Sequence, residues 1–472
     1  MVTRRGTNTG LVMLAALAMV AVMPGAVGVA SADDVPAYKT ADGATRIKGA
    51  TTTLDAPPLK PGLYADSIGR GQRKIYTVRL DARSSAYFSV VAAPKPGTKV
   101  EEYKDKLTVR VQDTSSNPCS TETSPTFHAG ETPYPIGDYA SRNVGRGETA
   151  CKDAGPYYVV VSREGSATSG PDAWPIELSY TDEPPLKGRT PAAPVDGSWS
   201  TKPPEPRTDS TKRRARGGTG FNDAGSVGTG VWTDRIRPGE TRFYRVPVSW
   251  GQRLNLRAEL PNAPSSASGT FLSNALGLNV FNPARGVVDD DNFVYYNGEG
   301  ATAKEFTAPV DYGNRFNTTS AVKAMRFAGW YYLEVTLNAG AAKFFPKGTG
   351  LTLRVDVKGE AKAGPAYSEP ADQFTVTDEE REMARKGQTE QAAEKSGTLR
   401  TVAYAGIGTG VVLLLGLGVW TLVARRRAAG TPRTPGTPQT FPQRAQQPSQ
   451  PQFPQQGSPD SRNQQPGPPQ GW

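Results

Sequence analysis

The stretch GLYADSIGRGQRKIYTV at residues 62–78 returns, altered, as GVWTDRIRPGETRFYRV at residues 230–246. Gly62/Gly230, Asp66/Asp234, Ile68/Ile236, Gly71/Gly239, Tyr76/Tyr244 and Val78/Val246 match without a gap, at an offset of 168 residues. Beyond it, Ala86, Phe88 and Val90 alternate as do Leu254, Leu256 and Ala258. Leu107, Val109 and Val111 then parallel Leu276, Leu278 and Val280. Gly155-Pro156-Tyr157-Tyr158-Val159 parallels Gly329-Trp330-Tyr331-Tyr332-Leu333. A closing strand is expected around Ile176, Leu178 and Tyr180, and again around Leu351, Leu353, Val355 and Val357. A self-match of this length marks a duplicated domain, at residues 55–182 and 218–360.

Each copy is a chain of short apolar/polar alternations broken by Gly, Pro, Asp and Ser clusters. Alternation at period two puts one face on a core and the other in water. The expected fold is therefore mainly β: two tandem β-sandwich or jelly-roll-like domains. Asp66 and Asp234 precede the glycine turns, where a short acceptor side chain can bond nearby backbone N–H groups. The order of strand, glycine turn, Tyr-containing strand and Gly-x-Tyr-Tyr strand resembles the bacterial pre-peptidase C-terminal (PPC-like) β-sandwich. Gly155–Val159 and Gly329–Leu333 carry that resemblance, which spans both copies. Members of that family are usually appendages to secreted enzymes, and no protease domain accompanies the pair here. The whole layout also resembles single-pass membrane proteins of Streptomyces-like actinobacteria.

That layout rests on two apolar segments. Arg4-Arg5, an apolar run from Leu11 to about Val29 and Ala30-Ser31-Ala32 read as a signal peptide over residues 1–32. Val402 to Val423 holds no charge, long enough to span a bilayer, and Arg425-Arg426-Arg427 follow as a stop-transfer signal. The expected topology is one plasma-membrane helix over 402–424, an extracellular N-terminal ectodomain and a cytoplasmic tail. Gly406 and Gly410 form a small-xxx-small pair through which two such helices could dimerise. The tail, 425–472, is rich in Pro and Gln and is expected to be disordered. Residues 33–54 are read as a flexible N-terminal segment, and 183–217 as a Pro-rich linker carrying the basic run Lys212–Arg216. Residues 361–401 are read as a charged, helix-friendly stalk.

The formal charge of +10 sits mostly outside the ectodomain. Arg4 and Arg5 hold two of the positive charges, and the last 48 residues hold a net five. The near-neutral remainder offers no broad field for a polyanion, which argues against nucleic-acid binding.

Reactive side chains are scarce. Cys119 and Cys151 are the only two thiols of the chain and, in an exported domain, are expected to form a disulfide. His128 is the one histidine. It cannot build a His-rich metal site, and no Gly-x-Ser-x-Gly elbow presents a nucleophile. Asp289-Asp290-Asp291 is the best candidate for Ca²⁺, though it lacks the spaced ligand pattern of a calcium loop; a polar turn is the plainer reading, and no other cofactor is implied. Trp232, Trp250, Trp330, Tyr295 and Tyr296 could form a carbohydrate platform, but most fall at inward strand positions. These residues point to a non-enzymatic, membrane-anchored envelope protein whose ectodomain binds or spaces something outside the cell. Its partner would be an envelope protein or a wall polymer. The alternatives are a carbohydrate- or wall-polymer-binding module and, more remotely, a hydrolase using His128.

Overall fold

A computed structural model describes residues 35–145, 148–188, 191, 211–264, 270–289 and 293–389. The expected signal peptide, Asp290, Asp291, the Val402–Ala424 segment with Gly406 and Gly410, Arg425–Arg427 and the expected tail lie outside the described residues. Among the described residues, no helix is long and apolar enough to cross a membrane.

Nine strands build the first copy: β1 (Thr45–Arg46), β2 (Pro58–Leu59), β3 (Gly62–Ile68), β4 (Arg73–Leu80), β5 (Ser85–Ala92), β6 (Lys106–Gln112), β7 (Ile136–Arg142), β8 (Gly155–Glu164) and β9 (Trp174–Glu183). They form two sheets, in the orders β1-β3-β9-β5-β7 and β2-β4-β8-β6. The second copy runs β10 (Lys212–Arg214), β11 (Gly225–Ser226), β12 (Gly230–Ile236), β13 (Thr241–Val248), β14 (Arg253–Leu260), β15 (Leu272–Phe281), β16 (Val287–Asp289), β17 (Phe293–Tyr296) and β18 (Ala301–Phe306). A one-turn helix α1 (Ser320–Ala324), β19 (Gly329–Leu337), β20 (Thr349–Lys358) and a final helix α2 (Asp378–Lys386) complete it. Its sheets are β10-β12-β20-β14-β18 and β11-β13-β19-β15-β16, with β17 added on β15. Apart from β16 and β17, which the second copy adds beside β15, the two orders coincide strand for strand, down to the short parallel edge pairs β1/β3 and β10/β12. The duplication read from the sequence is thus a duplicated β-sandwich. Each has its own core, Tyr76, Phe88, Val109 and Leu178 in the first and Tyr244, Leu256, Leu278 and Leu353 in the second.

The sandwiches are not beads on a linker. β5 is buried at every position from Ser85 to Ala92. Ala86, Phe88 and Val90 face their own core, while Tyr87 and Val91 pack into clusters with the second copy. Val91 meets Phe221, Phe243 and Phe281, and Tyr87 meets Phe327 and Phe374. Buried ion pairs cross this seam, Glu177 with Arg285 and Glu183 with Arg315. Asn338 Nδ2 donates to the Ala129 carbonyl at 3.1 Å, and the Val287 N–H to Asp138 Oδ1 at 2.9 Å.

Segments read as connectors are drawn into this assembly. From residue 35 on, the expected flexible leader is anchored: Tyr38 donates to Glu177 at 3.3 Å, and the Ala41 N–H donates to Glu177 Oε2 at 2.8 Å. A buried carboxylate needs such donors, and the leader supplies them. The end of the expected linker is strand β10, paired in parallel with Val231–Thr233. The part of the expected stalk through residue 389 packs back on the sandwiches. Tyr367 donates to Glu183 at 2.9 Å, and the Phe374 ring stacks on Phe327 with centroids 4.5 Å apart.

Candidate functional site

Where the two sandwiches and the returning segment meet, they leave an open cleft of about 470 Å³. Open clefts at domain junctions are common ligand sites. β19 supplies its aromatic wall. Tyr331 and Leu333 point into the second core, so Trp330 and Tyr332, on the opposite phase, are half-buried and line the cleft. Gly329 makes this entry feasible. Its φ is +131°, and a Cβ there would lie 2.5 Å from the Gln373 carbonyl oxygen.

Glu380 fixes Trp330 through α2. Glu380 Oε1 accepts from Trp330 Nε1 at 2.7 Å, while its Oε2 accepts from the Thr377 N–H at 2.7 Å and closes a capping box. The carboxylate is thus held at both oxygens. Arg245 lies 4.3 Å from the centre of the Trp330 ring, a cation–π contact.

The floor is charged but internally matched. Arg285 pairs with Glu177 and donates to Asn222 Oδ1 at 2.8 Å, and Asn222 Nδ2 donates back to Glu177 at 2.9 Å. Burial alone would lower the Arg285 guanidinium; Tyr38 and Glu177 outweigh it and hold its pKa above the usual value. Tyr38 itself is pushed well up, first by burial and then by Glu177. The remaining carboxylates on the lining are Asp182, Asp372 and Glu380. Desolvation raises Asp182, against a hydrogen bond from Tyr180 that pulls it down. The Trp330 and Tyr332 rings and three carboxylates on one open lining can stack on a flat apolar face and accept from hydroxyl or ammonium groups.

Of the residues singled out from the sequence, Cys119 and Cys151 form the expected disulfide, with an S–S distance of 2.04 Å. Trp232, Trp250 and Tyr296 are core residues, whereas Tyr295 is exposed. Trp330 alone among that aromatic set lines the cleft. Asp289 ends β16, and among the described residues no group of three or more His, Cys, Asp or Glu side chains could hold a metal ion. His128 is half-buried in the loop before β7, edge-on to Tyr103 at 5.3 Å. It lines a narrow crevice with Asn279 and Glu334 of the second copy. Asp182, Tyr332, Asp372 and Glu380 had not been singled out as site residues. The Thr377-Asp378-Glu379-Glu380 pattern, a Thr-x-x-Glu capping box, was the available signal for α2 and for a fixed Glu380.

No family model matches the chain. No curated protein matches it. Among solved structures, the human MASP-1/3 CUB1-EGF-CUB2 fragment is 10% identical, with a TM-score of 0.15, covering 62% of this chain and 99% of its own. The tandem CBM51 modules of a family 98 glycoside hydrolase from Streptococcus pneumoniae are 6% identical, with a TM-score of 0.16, covering 63% and 83%. The ANX1 ectodomain from Arabidopsis thaliana is 10% identical, with a TM-score of 0.16, covering 66% and 92%. At such scores the superpositions are poor, and what those proteins bind is no guide to this chain.

Proposed function

We propose that this chain is a non-enzymatic, membrane-anchored envelope protein whose paired, PPC-like β-sandwiches form one extracellular binding body. The cleft at the seam is its binding site. The observation that carries this reading is the junction itself: β9, β19, α2 and the segment before α2 converge there and present Trp330, Tyr332 and three carboxylates on one lining. Signal peptide, single span and cytoplasmic tail follow from the sequence pattern.

The outward phase of Trp330 and Tyr332 on β19 favours a hydroxyl-rich ligand, as in the wall-polymer reading. Incubating the detergent-solubilised full chain with purified peptidoglycan tests it. Retention that drops at least about ten-fold in Trp330→Ala, a loss of about 1.4 kcal/mol, supports a glycan in the cleft. No retention of the wild type points to a protein partner, which photo-crosslinking from position 332 in intact cells would capture. Retention indifferent to both Trp330→Ala and Tyr332→Ala would remove the cleft from the function.

A further inference from the structure

The basic run Lys212–Arg216 has no part in the cleft just described. β10 carries Arg213 to the edge of the second sandwich, beside α2. One Arg213 N–H donates to the Arg385 carbonyl at 2.8 Å and another to the Thr229 carbonyl at 3.2 Å. The same guanidinium sits 4.8 Å from the centre of the Trp232 ring. These contacts fix a cation in one place. From α2, Arg381 and Arg385 reach the same point, since residues four apart share a helix face. Together they line a second open cleft of about 560 Å³, walled by Pro247, Val357 and Ala384.

Three guanidiniums face this space against one lining carboxylate, Asp378. That carboxylate is a weak competitor. Its side chain is 92% exposed, and it pairs with Arg381 at 2.6 Å. Arg385 pairs with Glu382 at a similarly open surface. Ion pairs this exposed contribute less than about 1 kcal/mol and give way to a stronger anion. Arg381 also donates to Ser249 Oγ at 3.1 Å, which orients its fork. α2 therefore divides two sites of opposite character, with Glu380 toward the carboxylate-lined cleft and Arg381 and Arg385 toward the basic one.

We infer that the basic cleft binds a phosphate ester, its oxygens taken by the Arg213, Arg381 and Arg385 forks and its carbon skeleton laid on Pro247, Val357 and Ala384. Guanidinium forks match phosphate oxygens two at a time, which distinguishes this arrangement from a diffuse basic surface. The inference is independent of the glycan reading of the other cleft.

Calorimetry on the full chain in neutral detergent at low salt tests it, with glycerol 3-phosphate as the free ester and phosphatidylglycerol in mixed micelles as the lipid form. The wild type is expected to bind at least one probe, and Arg381→Gln/Arg385→Gln to weaken that binding by about ten-fold or more with an unchanged melting temperature. Binding of both probes assigns a soluble phosphate ester; binding of the lipid alone assigns a headgroup. Arg354→Gln, on the central strand β20, outside the cleft lining and paired with Glu259, should bind as the wild type does. If the double variant is destabilised, Arg385→Gln alone decides, because its side chain is 68% exposed. Binding of neither probe, or equal loss in Arg354→Gln, would overturn the inference.

Discussion

Tyr76 donates its hydroxyl to Asp66 Oδ2 at 2.9 Å, and Tyr244 repeats the bond to Asp234 at 2.8 Å. The same carboxylate oxygens accept the Gly49 and Gly217 N–H groups, both at 2.7 Å. Each clamp ties the edge segment before a sandwich to its first hairpin. The glycines are needed for contact, since a Cβ at Gly49 or Gly217 would come within 2.8 Å of the tyrosine ring. The clamps differ in one respect. Lys74 lies 3.1 Å from Asp66, whereas Arg242, its counterpart, pairs with Glu240 and bonds the Gly217 carbonyl.

That difference predicts unequal costs for the same substitution. Tyr76→Phe should cost about 1 kcal/mol, because Asp66 keeps Lys74 as a partner. Tyr244→Phe, leaving Asp234 Oδ2 with the Gly217 N–H but no lysine to replace the hydroxyl, should cost about 2 kcal/mol or more. Denaturant midpoints of the two variants check this; equal costs would mean that Lys74 does nothing for the clamp.

The duplication, the strands and the disulfide were legible in the sequence because they rest on local pattern. Period-two alternation marks a strand wherever one face meets water, as in β3 and β12. The seam was not legible, because its signals read as something else. Ser85–Ala92 is a near-continuous apolar run, the mark of a strand buried on both faces, yet its Ala86-Phe88-Val90 phase already satisfied a one-sided reading. Glu177 and Glu183 look like solvent-facing positions of a closing strand. Only their partners, Arg285 and Arg315 more than a hundred residues away, make them interior groups. The cleft inherits this, since its walls come from five separated segments, around residues 62, 180, 284, 331 and 376.

Glu183 makes the seam sensitive to acid. It takes a two-pronged bond from Arg315, at 2.7 and 3.1 Å, and hydroxyls from Tyr87 at 2.8 Å and Tyr367 at 2.9 Å. Burial alone would raise its pKa, but Arg315 and these hydrogen bonds outweigh it and hold the group below its ordinary 4.5. The folded state therefore binds fewer protons than the unfolded chain. The stabilisation is complete above the unfolded pKa and is lost as pH falls through the lower folded value. Melting temperature should drop more steeply below about pH 4.5 in the wild type than in Glu183→Gln. At neutral pH that variant should cost about 3–5 kcal/mol, because Arg315 loses its counter-ion. Parallel pH profiles for the two proteins would refute this assignment.

Gly329 couples the fold to the cleft. Its positive φ disfavours any side chain, and an added Cβ would also press on Pro283 at 3.0 Å. Gly329→Ala should destabilise by about 2 kcal/mol or more and displace Trp330, so ligand retention should fall together with the melting temperature. Unchanged retention in a destabilised variant would separate Trp330 from binding.

The disulfide belongs to the first copy alone, and its loss should be felt there. Cys119 and Cys151 are 32 residues apart in sequence and join the segment after β6 to the loop before β8. Closing a loop of that length restricts the unfolded chain by about 3–4 kcal/mol. The folded surroundings depend on it too: the Cys151 carbonyl accepts from Arg142 Nε at 2.9 Å and from the Tyr157 hydroxyl at 3.0 Å. Arg142 also reaches the carbonyl of Ser84, at the start of β5, so loosening this loop weakens the strand that carries the seam. Cys119→Ser/Cys151→Ser should therefore lower stability by about 3 kcal/mol. In hydrogen exchange, protection should fall first in β6, β7 and β8 and then at Tyr87 and Val91, while β12–β14 of the second sandwich exchange as before. Uniform loss across both sandwiches would show that they unfold as one cooperative unit and that the bridge stabilises the whole body.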